Sequence, residues 1–348
     1  MFSNLRSLIF KLDPETAHNF AIKSLKFNFV PNVLEEDKNN PLFKTILFNR
    51  DLENPIGMAA GFDKNAEVYN SLFKLGFGFV EVGTITPKKQ YGNPKPRIFR
   101  LESEKALINR LGFNNDGSEK AIERLQKNLP NGILGINIGP NKDSKNRIED
   151  YLFCLNKMHF FADYITINIS SPNTPGLREF HNESNLLELL NKISEFMTNN
   201  KIKKNLVLKV SPDINEREIS YIIELIIKFK INGIIISNTT DKNRNNLTGK
   251  NKNELGGLSG EPLNTISNNL IKKFYKEVKN KVTIIGVGGV NSGQTAFEKL
   301  KCGASLLQLY TGMIYEGPGV VKKIKTELID IFQKDKIKNV NEIIGINS

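Results

Sequence analysis

Residues 164–176, YITINISSPNTPG, begin as a strand that should be buried and then turn polar. Tyr164, Ile165, Ile167 and Ile169 favour extended backbone, yet Asn168 sits inside the run and Ser170, Ser171 and Asn173 follow it. A buried amide without a partner costs about 1–3 kcal/mol, so these groups must meet something. Five other apolar runs end in the same manner. PIGMAAG (55–61) exits through Gly61 into Asp63 and Lys64, and FVEVGT (79–84) closes on Gly83 and Thr84. Asn137 lies late in ILGINIG (133–139), Lys209 late in LVLKV (206–210), and Ser237, Asn238 and Thr239 close GIIISN (233–238). Together these ends describe a polar cup with two cations, Lys64 and Lys209, whose buried charges need partners.

Two further ends look different. GVGGVNSG follows the run TIIGVGG (283–289) and YTG follows SLLQLY (305–310), while LSG occupies 258–260. Glycine-rich turns expose backbone N–H groups and suit a phosphate. The site thus asks for a ligand with a phosphate at one end and a planar, amide-rich body at the other. A flavin mononucleotide meets both demands, with Lys209 stabilising negative charge at the N1–C2 edge of the reduced ring. Lys209 equally suits a Schiff base in a sugar-phosphate aldolase. The two readings differ in colour, because a flavoprotein is yellow.

The elements that must position these residues are legible as eight short β-branched runs, the eight named above. Helix-patterned segments lie between most of them, at 64–75, 116–128, 147–161, 184–199, 215–230, 263–279, 292–301 and 318–334. Asp116, Asn215, Ser292 and Pro318 are cap or first-turn types and predict helix starts. Eight strand–helix units predict an α/β fold, a (β/α)8 TIM barrel, whose site lies at the C-terminal ends of the strands. No strand–GxGxxG–helix unit opens the chain, which argues against a dinucleotide-binding open sheet. Residues 85–115 are too long for a βα turn and predict an inserted hairpin over the barrel mouth.

The chain has 348 residues, 39% hydrophobic and 25% charged, enough for a substantial core. No apolar stretch is long enough to cross a membrane, and no cleaved signal peptide is evident. Cys154 and Cys302 are far apart, as are His18, His159 and His181, so neither a disulfide framework nor a metal site is expected. The net charge of +12 is spread along the chain without an aromatic-interleaved stripe. It reads as a lysine-rich solvated surface, not a nucleic-acid site.

The N-terminus adds a second feature. Phe2, Leu5, Leu8, Ile9 and Leu12 recur at helical spacing, Asp13–Pro14 reads as a cap and first helical residue, and Ala17, Phe20, Ala21 and Leu25 form a second stripe. Arg6, Lys11, Lys23 and Lys26 are interspersed. Two amphipathic helices with cations predict docking on a membrane face without crossing it. The expected organisation is an extension at 1–40, a barrel at 41–335 and a tail at 336–348 with no reading of its own.

The segments LDPETAHNF, NPIGMAAGFDKNAE, EVGTITPKKQYGNPKPRIFRL, INRLGFNN, GINIGPNK, INISSPNTPGLR, SNTT, GGLSG, IIGVGGV and GASLLQLYTG stand in one order between about residues 5 and 330. In that order the chain resembles the dihydroorotate dehydrogenases, most closely the class 2, quinone-linked, membrane-associated form. The resemblance implies oxidation of (S)-dihydroorotate to orotate in pyrimidine (UMP) biosynthesis, with hydride passing to FMN and electrons to a membrane quinone. It implies a peripheral, monomeric protein on the cytoplasmic face of the cell membrane. It also implies that FMN contacts Ala60, Gly61, Phe62, Asp63, Lys64, Thr84, Asn137, Asn168, Lys209, Ser237, Gly260, Gly289, Tyr310 and Thr311. Dihydroorotate would be held by Lys64, Asn109, Arg110, Leu111, Gly112, Phe113, Asn168, Asn173, Asn238 and Thr239. Ser171 would be the catalytic base, with Thr174 and a water relaying the proton under Phe113. His18, Arg100 and Tyr310 would lie near the flavin end of a quinone tunnel. Class 1 relatives carry Cys at the base position, so Ser171 favours class 2. Leu111 stands where Met is commoner, and 240–257 is unusually rich in Asn and Lys. The alternatives are a soluble relative using fumarate or NAD, and a flavin-binding membrane protein without turnover.

Overall fold

A computed structural model describes residues 2–27, 40–242 and 244–348, side chains of 2–4 excepted. The eight apolar runs form eight parallel strands: β1 (Ile56–Met58), β2 (Phe79–Ile85), β3 (Ile133–Ile138), β4 (Tyr164–Asn168), β5 (Asn205–Val210), β6 (Gly233–Ile236), β7 (Thr283–Val287) and β8 (Leu306–Leu309). Each pairs with its neighbour in sequence and β8 pairs with β1, so the sheet closes into a barrel. This is the expected (β/α)8 architecture.

Alternation along the strands builds the interior in layers. The bottom layer holds Phe79, Ile133, Tyr164, Val207, Ile235, Ile285 and Leu306, packed on Leu47 and Leu52. Those two leucines come from a hairpin, Thr45–Leu47 with Arg50–Leu52, that plugs the barrel floor. Gly135 is required here, since a Cβ would lie 2.1 Å from the Tyr164 ring. Two residues further along the same strands come Glu81, Thr166, Lys209 and Gln308, and then Asn137, Asn168 and Tyr310. The inner face is therefore apolar at the floor and polar at the mouth. The outer faces of the strands pack on the helices in one large apolar cluster.

The helices are α1 (Phe2–Ile9), α2 (Pro14–Lys26), α3 (Tyr69–Lys74), α4 (Ser118–Lys127), α5 (Arg147–Met158), α6 (Glu183–Asn199), α7 (Glu216–Lys228), α8 (Asn264–Val278), α9 (Gly293–Lys301), α10 (Thr311–Glu316) and α11 (Val320–Asp335). Asn215 and Ser292 cap α7 and α9 as expected. Asp116 does not cap α4; it lies before the helix and pairs with Arg124 at 2.6 Å. Pro318 precedes α11, whose cap position is Gly319. α3 starts later than its pattern predicts because the Asp63 carboxylate accepts the Glu67 and Val68 amides, holding the preceding turns open. α10 has no sequence signal beyond YTG.

The 85–115 insertion is a hairpin, Ile98–Leu101 with Ala106–Asn109, flanked by the pair Lys88–Gln90 and Asn115–Gly117. It gains a third strand from afar, Gly257–Gly260, where the sequence reads as a glycine turn. Asp13 caps α2 by accepting from the Glu15 and Thr16 amides. The expected extension at 1–40 is described only in part, since Met1 and residues 28–39 lie outside the described residues. The tail is packed, with Val340 and Ile343 buried and Asn341 accepting from Thr45 at 2.8 Å.

Candidate active site

At the polar layer, Glu81 is wholly buried and receives four donors. Asn137 Nδ2 reaches Oε1 at 2.9 Å, while Tyr164, Thr166 and Gln308 reach Oε2 at 3.1–3.2 Å. This orients the Asn137 amide, whose Oδ1 then accepts from Thr84 at 2.6 Å and from Asn168 Nδ2 at 3.1 Å. Asn168 Nδ2 also lies 3.0 Å from the Thr84 hydroxyl. The polar groups at the ends of β2, β3 and β4 thus satisfy one another, which lifts the desolvation cost their burial would carry.

The loop after β4 continues this network. Asn168 Oδ1 accepts from Ser170 Oγ at 2.8 Å, and Ser170 Oγ accepts from Asn238 Nδ2 at 2.9 Å. Ser171 Oγ accepts the Asn173 amide N–H at 3.2 Å, and Asn173 Nδ2 donates to Asn109 Oδ1 at 3.2 Å. Ser171, Asn168, Asn173, Asn109, Asn238, Thr239, Lys64, Gly61, Gly112 and Phe113 line one cavity of about 120 Å³. Phe113 holds φ +54°, a left-handed conformation that costs a non-glycine residue of order 1 kcal/mol or more. Thr174 is buried but lies outside this wall; its carbonyl accepts from Leu177 N.

A second cavity of about 90 Å³ adjoins the first, sharing Ala60, Asn109, Leu111, Lys209, Asn238, Thr239 and Tyr310. It extends to Ser237, Gly260, Gly289 and Thr311. Gly288 and Gly289 take φ +109° and +74°, conformations that turn their backbone groups as no ordinary residue would. Lys209 lines both spaces, and among the described residues neither it nor Lys64 has a hydrogen bond or ion pair from the protein. Burial lowers the Lys209 pKa, and the Glu81 charge opposes that. Burial likewise brings Lys64 down to about 8, with Glu15 opposing and Arg97 adding to the drop. Two buried cations, a glycine-lined end and amide-rich walls form a donor set that fits a phosphorylated planar cofactor beside an anionic ring.

An apolar cavity of about 310 Å³ opens beyond Tyr310, lined by Leu5, Ile9, Phe10, Ala17, His18, Ala21, Phe62, Arg100 and Met313 among others. α1 and α2 form one wall of it. His18 meets the rings of Phe62 and Tyr310 edge-on at 5.3 and 6.3 Å. Burial holds His18 well below the usual imidazole range, and Lys64 adds to this. The Arg100 guanidinium lies 4.5 Å over the Phe10 ring and donates to the Phe10 and Leu12 carbonyls. α2 is docked by a buried ion pair, Glu15 with Arg97 at 2.5 and 3.0 Å. Leu5, Leu8, Leu12, Phe20 and Phe27 remain exposed.

Most of the expected site residues therefore surround one connected space. Of those expected to hold flavin or substrate, four do not line the two polar cavities. Arg110 turns outward to Glu254 at 2.7 Å and stacks on Phe99. Asp63 is spent on the amides before α3, and Phe62 faces the apolar cavity. Asn137 turns to Glu81 and reaches the site through Thr84 and Asn168. Glu81, Gln308 and the Glu15–Arg97 pair were not foreseen. Glu81 had a signal, a carboxylate inside the apolar run FVEVGT, whereas Arg97 had none beyond its place in a proline-rich loop. Among the described residues no helix is long and apolar enough to cross a membrane, and no group of His, Cys, Asp or Glu is arranged for a metal ion.

Comparison with known proteins was consistent with this geometry. The family model for dihydroorotate dehydrogenase matches residues 42–332. The dihydroorotate dehydrogenase (quinone) of Bartonella tribocorum is 45% identical over 341 residues, covering 97% of this chain and 94% of that protein. That of Buchnera aphidicola subsp. Schizaphis graminum is 45% identical over 329 residues, covering 92% and 97%. The crystal structure of the Eimeria tenella enzyme in complex with ferulenol superposes with a TM-score of 0.91 at 37% identity, covering 96% of each chain.

Proposed function

The chain belongs to the dihydroorotate dehydrogenase family, and from that premise we propose how its residues carry the reaction. It is a flavin-dependent, quinone-linked oxidoreductase that oxidises dihydroorotate to orotate in pyrimidine biosynthesis. The observation that carries the quinone-linked reading is Tyr310, which lines the polar cavities and the apolar cavity alike. A polar ring and an apolar electron acceptor thereby approach one locus from opposite sides.

The flavin would be FMN, its phosphate held by the backbone amides around Gly260 and Gly289 and its ring by Lys209 and Tyr310. When bound, it would supply a two-electron carrier between the substrate's C6 hydride and the quinone. Lys64 pairs with the substrate carboxylate, and the amides of Asn109, Asn173 and Asn238, with the Thr239 hydroxyl, match its imide edges. Ser171 removes the C5 proton. The Asn173 N–H that Ser171 Oγ accepts at 3.2 Å favours charge building on that oxygen. Lys209 would offset negative charge building on the reduced ring. Phe113 and the inserted hairpin keep bulk water from the reacting atoms.

The exposed apolar residues of α1 and α2 rest on the cytoplasmic membrane face as a monomer's docking surface, so that quinone enters the apolar cavity from the lipid. Steady-state assays with a ubiquinone analogue, fumarate and NAD test this reading. Turnover with the quinone analogue is expected; turnover with only the soluble acceptors would refute it. Sedimentation with anionic lipid vesicles tests the docking.

A further inference from the structure

Arg178 lines none of these cavities, yet its guanidinium ties together three of the loops that rim them. Nε donates to the Ser170 carbonyl at 3.2 Å, in the loop after β4. Nη2 donates to the Thr239 carbonyl at 3.0 Å, in the loop after β6. Nη1 lies 3.1 Å from Asp213 Oδ2, after β5, and 3.0 Å from Asp241 Oδ1. The two carboxylates are themselves tied in, since Asp213 accepts the Thr240 hydroxyl and the Asp241 amide. The Arg178 backbone is fixed as well. His181 Nε2 accepts the Ser211 N–H at 3.1 Å, which leaves the ring proton on Nδ1 to donate to the Arg178 carbonyl at 3.1 Å.

The acceptors are chosen by position. Ser170 and Thr239 flank Ser171 and Asn238, which both line the polar cavity. Their carbonyls point away from the cavity into one planar fork, which a lysine ammonium could not span. We propose that Arg178 is a positioning residue for proton abstraction: it locks the Ser171 loop to Asn238–Thr239 so that base and substrate share one frame. This rests on the reading of Ser171 as the base. None of the acceptors of Arg178 belongs to the glycine-lined end, so the cofactor should stay bound without it.

The test uses the purified holoenzyme, mixed anaerobically with dihydroorotate while flavin bleaching is followed. R178A is expected to keep its flavin absorbance and to bleach about 100-fold more slowly, the cost of a misplaced reacting group of about 1 Å. Added guanidinium ion should restore part of that rate, and R178K should remain slow. Bleaching at the wild-type rate in R178A would overturn the proposal, as would a slow R178A that has lost its flavin and ignores guanidinium. S171A, run alongside, should be slow with or without guanidinium. A wild-type rate in S171A sinks the base assignment itself, whereas a wild-type rate in R178A beside a slow S171A sinks only the positioning role.

Discussion

Asn137 and Glu81 meet at 2.9 Å across neighbouring strands, amide nitrogen to carboxylate oxygen, with neither residue exposed to solvent. The carboxylate also takes Tyr164, Thr166 and Gln308, so it organises a whole layer of the barrel. Glu81→Gln replaces one acceptor with a donor facing donors. Each buried donor left without a partner costs about 1–3 kcal/mol. The variant is therefore expected to lose about 2 kcal/mol or more in urea unfolding of the holoprotein, and to release flavin more readily. Unchanged stability would mean that the layer is held by other groups.

Ser171→Ala removes the proposed base from the wall of the polar cavity. General-base contributions run to about 10²–10⁴-fold, so the single-turnover rate of flavin reduction should fall by that order. Orotate binding, read from the flavin spectrum, should be nearly unchanged, because the amides and Lys64 are untouched.

Lys64 sets a pH dependence. Burial lowers its pKa to about 8, so the ammonium proposed to hold the substrate carboxylate is present below that pH and lost above it. Orotate affinity is expected to be flat at neutral pH and to fall about tenfold per pH unit beyond the lysine pKa. Lys64→Met should bind orotate weakly at every pH. A wild-type affinity that holds steady into alkaline solution would show that Lys64 does not carry the anion.

Ala21 offers a way to separate the two halves of the cycle. It lines the apolar cavity of about 310 Å³ and touches no polar cavity. Ala21→Trp should obstruct that space, raising the KM for a quinone analogue while flavin reduction by dihydroorotate keeps its rate. Equal KM values would place quinone entry elsewhere.

Residues at the strand ends show how far reading along the chain can go. Asn168, Lys209 and Ser237–Thr239 stood out because each breaks an apolar run where a barrel opens, and they do surround one space. Arg110 and Asp63 stood beside them in sequence and look just as reactive. Neither type nor spacing says that Arg110 turns to Glu254 and Asp63 to backbone amides, since those partners are settled by loops brought from elsewhere. The same holds for Gly257–Gly260, whose glycines read as a turn until the distant hairpin strand Ala106–Asn109 offers them an edge.

The sequence by itself determined the eight strands, their polar ends and the amphipathic N-terminus. All three are periodic patterns of apolar and polar residues, and burial enforces such patterns locally. Tertiary structure alone decided that Glu81 gathers donors from β3, β4 and β8, that Glu15 meets Arg97, and that Arg178 joins three loops. Those partners are separated by as few as 8 and as many as 227 residues. Closing the barrel fixes their distances, and a hydrogen bond exists only where that closure leaves donor and acceptor about 3 Å apart.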